Sequence, residues 1–104
     1  MAGVQAATAY QTKAATVGVA AVLITAVGWA WTEGYLALAD VAYISAHTNG
    51  VCLTWDGTTP TATLGLPIAA GSTVELQCNV NIQAVQLIRS GGADATVSIT
   101  LAKF

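Results

Sequence analysis

A chain of 104 residues with a formal net charge of −2 holds one domain and leaves no room for a second, catalytic one. Charged residues are 8% of the sequence, against about 25% in an ordinary soluble domain, and apolar residues are 55%, so Ala, Thr, Ser, Gly and Gln must form much of the surface. The three basic residues, Lys13, Arg89 and Lys103, are scattered, which removes the clustered charge that nucleic-acid binding draws on. A low-charge surface loses little side-chain entropy when a partner covers it, which suits a subunit of an assembly.

The chain opens with a weak strand signal over residues 7–19, where Thr8, Tyr10, Thr12 and Thr16 stand amid Ala, and residues 1–15 can serve as an extended arm. Residues 14–32 carry no charge and approach the roughly 20 residues that cross a bilayer. Gly18 and Gly28 interrupt that run and no Lys/Arg cluster flanks it, so insertion into a membrane is disfavoured, as is a cleaved signal peptide. The spacing predicts instead a core strand over residues 19–26, ended by Gly28. The segment GWAWTEGYLALAD then reads as a long connection with a turn of helix, whose Trp29, Trp31, Tyr35 and Leu36 need cover.

Residues 40–46 (DVAYISA) alternate as a strand, with Val41, Tyr43 and Ser45 on one face and Ala42, Ile44 and Ala46 on the other. Asn49-Gly50 supplies residues that tolerate positive φ, so the following strand VCLTW, with Val51, Leu53 and Trp55 alternating against Cys52 and Thr54, is expected to return as a hairpin. Asp56-Gly57 closes that strand. Residues 58–64 form an extended rim in which Pro60 argues for an edge or loop, with an edge free to add to a neighbouring sheet. Residues 72–78 alternate again, residues 79–90 (NVNIQAVQLIRS) read as the penultimate strand, and after a turn at Gly91-Gly92 the last strand alternates Val97, Ile99 and Leu101 with Thr96, Ser98 and Thr100. The total is about seven or eight short strands in one all-β domain, the signature of an antiparallel β-sandwich or small barrel.

Chemistry-bearing residues are few. His47 is the single histidine and sits in a turn, and the acids Glu33, Asp40, Asp56, Glu75 and Asp94 are dispersed with no close pair, so neither a triad nor a two-carboxylate site is legible. The chain is therefore expected to be non-enzymatic, with no metal, cofactor or small-molecule substrate. Cys52 and Cys78 fall on different faces, which favours two reduced thiols over a disulfide. Trp29, Trp31 and Trp55 are candidate interface anchors, or a sugar-stacking platform, and Arg89 is a candidate pairing charge for Asp56, Asp94 or a neighbour's carboxylate.

The series ISAHTNGVCLTWDGTTPTATLGLPIAAGSTVEL (44–76) followed by NIQAVQLIRSGGADATVSITL (81–101) resembles small structural proteins of tailed-bacteriophage virions. The likeness lies in turns and strand edges over about the last 60 residues. The resemblance implies a β-sandwich or jelly-roll subunit of the virion, assembled in the host cytoplasm. Capsid decoration (cement) is the first expectation, with the major capsid protein or another virion protein as partner and a homo-oligomer as the working state. A tail, head-to-tail or fibre-associated component comes next, then a carbohydrate-binding module.

Overall fold

The computed structural model describes residues 7–104. Eight strands run through it: β1 (Thr8–Val17), β2 (Val22–Leu23), β3 (Val41–Thr48), β4 (Val51–Thr54), β5 (Leu66–Ile68), β6 (Thr73–Gln77), β7 (Gln86–Arg89) and β8 (Ala95–Lys103). A 3₁₀ turn at Val27–Trp29 and two short helices, α1 (Tyr35–Leu38) and α2 (Asn79–Gln83), occupy the connections.

The strands make two four-stranded sheets, ordered β1-β8-β3-β6 and β2-β7-β4-β5, with every pairing antiparallel. β4 pairs with β5, β3 with β6, β2 with β7 and β1 with β8. This is a chain doubled back on itself between β4 and β5, with successive pairs laid into alternate sheets. It is an eight-stranded jelly roll, and its two antiparallel sheets bear out the all-β reading of the alternating pattern.

Between the sheets lie Ala42, Ile44 and Ala46 of β3, Val97, Ile99 and Leu101 of β8, Val51 and Leu53 of β4, and Leu87 of β7. The outward rows of the first sheet are hydroxyl-rich: Thr12, Thr100, Tyr43 and Glu75 stand side by side, then Ala14, Ser98, Ser45 and Thr73. β1 is a long edge strand, and it carries two devices that discourage edge-to-edge pairing: a register shift between Ala9 and Gln11, and Lys13 on the same inward row as Ala15 and Val17.

Several local expectations are corrected. β3 and β4 do not form a hairpin: β6 and β8 already occupy both edges of β3, so Asn49, at φ 62°, and Gly50 hand the chain to the opposite sheet. The strand expected over residues 19–26 shrinks to Val22–Leu23: the Ile24 N–H still reaches the Val85 carbonyl at 2.9 Å, but the chain then turns, with the Ala26 N–H donating to the Leu23 carbonyl at 2.9 Å. The first half of the strand expected over residues 79–90 is helix α2. Cys78, at φ 79°, breaks the extended path there, and the Asn79 amide donates to the Leu36 and Ala39 carbonyls at 3.0 and 2.9 Å.

The rim at residues 58–64 is no free edge. β4 is flanked by β5 and β7, and the loop folds back over it, with the Cys52 thiol 3.4 Å from the Ala62 carbonyl and the Thr54 hydroxyl donating to the Thr58 carbonyl at 2.6 Å. Both faces of β4 are buried as a result. Of the expected arm, residues 8–15 are built into β1, and residues 1–6 lie outside the described residues. Among the described residues no helix is long and apolar enough to cross a membrane. Cys52 is buried and Cys78 exposed, both as free thiols.

Candidate interaction surface at the helical end

Jelly-roll connectivity sorts the connections by end. At the turn end the strands are joined by residues 18–21, 49–50, 69–72 and 90–94. At the other, helical end the connections are residues 24–40, 55–65 and 78–85. Three long, structured segments therefore crowd one end of the sandwich.

They are held from the core outward. Trp29 is only 2% exposed and stacks on Trp31 with ring centres 5.9 Å apart and planes 11° apart. The Trp29 and Trp31 indole N–H groups donate to the Leu23 and Ile24 carbonyls at 3.1 and 3.0 Å, so both rings are fixed in orientation. The Gln11 side chain clamps Thr32, donating to its hydroxyl at 2.8 Å and accepting from its backbone N–H at 3.1 Å. The Tyr10 hydroxyl donates to the Tyr35 carbonyl at 2.6 Å, and the two rings meet edge-on at 5.2 Å. Burial, with lesser help from the Asp40 carboxylate and Tyr35, raises the Tyr10 phenol above its ordinary pKa.

On this fixed base the helical end exposes apolar side chains that gain nothing from water. Val27 is 94% exposed, Val80 77% and Phe104 65%, and Leu38, Leu64 and Leu66 are also open. Of the other exposed apolar side chains among the described residues, Val19 is at the turn end and Leu23 is on β2. Three clefts open at the helical end. The largest, about 480 Å³, lies beside Val27, Trp31, Glu33, Leu36 and Gln83; one of about 340 Å³ lies among Tyr10, Tyr35, Leu38 and Phe104; one of about 290 Å³ lies beside Trp55 and Leu66.

Charge follows the same division. Lys13 on β1 and Glu75 on β6, the two edge strands of the first sheet, cancel in the charge sum, and at the turn end Arg89 and Asp94 form an ion pair at 2.8 Å. Glu33, Asp40 and Asp56 against Lys103 remain at the helical end, three negatives and one positive, which equals the chain's net −2. Asp56 accepts the Thr58 backbone N–H at 3.0 Å, and that hydrogen bond lowers its pKa below the ordinary carboxylate value.

The predicted anchors thus separate. Trp29 is a core side chain with no face to offer, Trp31 and Trp55 are half-buried at clefts of the helical end, and Arg89 is at the opposite end, already paired with one of its expected partners. Sequence reasoning missed Val27, Leu38, Val80 and Phe104, since a valine beside Gly28 or Asn79 carries the same signal as a valine in a core strand.

His47 Nε2 lies 2.6 Å from the Ser98 hydroxyl on the outward face of the first sheet. The pair stands on an open sheet, and among the described residues no carboxylate hydrogen-bonds the ring. The described residues also contain no group of three metal-ligating side chains.

Known proteins supply no match. No family model, no curated protein and no solved structure pairs with this chain. The reading of the surface rests on its own geometry.

Proposed function

We propose that this chain is a non-enzymatic structural subunit of a tailed-bacteriophage virion, a capsid decoration protein that bridges neighbouring capsid proteins and docks through its helical end. The observation that carries the docking surface is the exposure of Val27, Leu38 and Phe104 at the clefts of the helical end, on a base pinned by hydrogen bonds. Contiguous apolar surface rimmed by polar groups marks interaction sites. A preorganised one binds with less ordering cost.

The virion assignment is supported by the resemblance of residues 44–76 and 81–101 to small phage structural proteins. The jelly roll agrees with it, being an architecture of capsid domains, though lectins share that architecture. Many identical copies on a symmetric shell would turn a modest contact into firm attachment.

The test is co-sedimentation of the purified chain with capsids lacking it, alongside light scattering of the free chain. A discrete oligomer that pellets with such capsids supports the assignment. A monomer that stays in the supernatant with capsids and instead pellets with isolated tails would move the subunit to the tail; one that pellets with neither overturns the virion reading.

A further inference from the structure

The cleft beside Trp31 has a chemical character that narrows its occupant. Its walls are aliphatic and aromatic, from Val27, Trp31 and Leu36, and its polar lining includes Thr25, Glu33 and Gln83. Two of the polar side chains in the lining are already engaged: Gln83 donates to the Asn79 side chain, and the Thr32 hydroxyl is held by Gln11. Glu33 is exposed and has no hydrogen bond or ion pair to the described residues. One face of Trp31 is covered by Trp29.

The free side-chain groups of the cleft are the Glu33 carboxylate, the Thr25 hydroxyl and the Gln83 amide oxygen, a negatively charged, acceptor-rich set that favours a cationic donor over a neutral pyranose. An apolar wall ending in a single carboxylate matches a long apolar stem ending in a cation. Among the described residues none supplies that cation: Arg89 is at the opposite end beside Asp94, Lys13 lies on β1, and Lys103 lines the neighbouring cleft. The surplus negative charge of the whole molecule is at this end.

We infer that the Trp31–Glu33 cleft receives an arginine side chain of the partner protein, its methylene stem along Leu36 and Val27, its guanidinium against Trp31 and paired with the Glu33 carboxylate. Arginine fits better than lysine because its planar, weakly hydrated head combines stacking with carboxylate pairing. The inference deepens the docking reading, and only the identity of the protein that carries the arginine depends on the virion assignment.

The experiment is an NMR titration of the full chain with N-acetyl-argininamide, following the Trp31 indole N–H resonance. Saturable shifts with a dissociation constant on the order of 10 mM are expected, the scale of one exposed ion pair with one cation–π contact. The Glu33→Gln variant should weaken binding about twofold to fivefold, Glu75→Gln should not change it, and the neutral citrulline analogue should bind no better than Glu33→Gln binds the arginine probe.

No saturable shift, or equal shifts from the citrulline analogue, overturns the inference, as does methyl glucoside shifting the same resonance in its place. In co-sedimentation, Glu33→Gln should release the chain from capsids at lower salt than Glu75→Gln does. Unchanged release sinks the cleft assignment and leaves the decoration reading intact. Normal probe binding with no capsid binding by any variant does the reverse.

Discussion

The two ends of the sandwich solve the same problem, joining strands across sheets, in opposite ways. At the turn end, connections as short as Asn49-Gly50 close tightly: a Cβ on Gly50 would lie 2.8 Å from the Ser90 hydroxyl and 3.1 Å from the Ile68 carbonyl. Its ion pair is internal and its charge balanced. At the helical end the connections are long enough to carry their own structure, and they leave apolar side chains and negative charge facing outward. Both ends are tied into the fold, but among the described residues the helical end leaves more apolar and acidic side chains open to water. A surface free to evolve toward a partner needs chain that the strand ladder does not already constrain.

The largest expected effect breaks the base of the helical end. Trp29→Ala removes the buried ring that stacks on Trp31 and should cost about 3–5 kcal/mol, read as a fall in Tm on the order of 15 °C or more. If the loss is below about 1 kcal/mol, the ring is not the support that its burial implies.

Next comes Gly65→Ala, where the connection after the β4 loop returns. Gly65 has φ 131°, and a Cβ there would lie 2.9 Å from the Leu53 carbonyl, so about 1–3 kcal/mol should be lost in urea unfolding. At the turn end, Arg89→Ala deletes an exposed ion pair and should cost no more than about 1 kcal/mol.

The sharpest contrast comes from paired polar substitutions. Val27→Ser and Val19→Ser should each leave stability within about 0.5 kcal/mol, because both side chains already face water. Capsid co-sedimentation should then fall for Val27→Ser alone. Equal loss from both would mean that the two ends share the contact.

The smallest effect is a pH dependence. The Thr58 hydrogen bond holds the Asp56 carboxyl below its unfolded value, so its contribution is present above the unfolded pKa, about 3.9, and is lost as pH falls through the lower folded value. Acid unfolding of Asp56→Asn should show a shallower decline below about pH 4 than the parent chain.

The strand pattern was legible because the core is two-sided. Ala42, Ile44 and Ala46, or Val97, Ile99 and Leu101, must all point one way, and a period of two in the sequence is the direct record of that. Turn chemistry was legible as well: Asn49 takes the positive φ expected of it, and Asp56 binds the backbone two residues on. Helix α2 was not, because NVNIQ carries strand-like residues and is turned into helix by Cys78 and by the Asn79 amide reaching carbonyls some 40 residues away. The hairpin expected at Asn49-Gly50 failed for a related reason, since a tight turn fixes the reversal of the chain and leaves open which sheet receives it.

By itself the sequence determined that this is one small all-β domain with little charge, few groups capable of chemistry and strands whose inward faces are fixed by alternation. Those properties are local, set by residue type and spacing. Only the tertiary structure decided that four tight turns gather at one end and three long connections at the other, that Trp29 is core while Trp31 borders a cleft, and that Glu33 shares that cleft with the exposed Val27. These relations depend on residues far apart in the chain. They appear only once the doubled ribbon of β1–β8, β2–β7, β3–β6 and β4–β5 closes into two sheets.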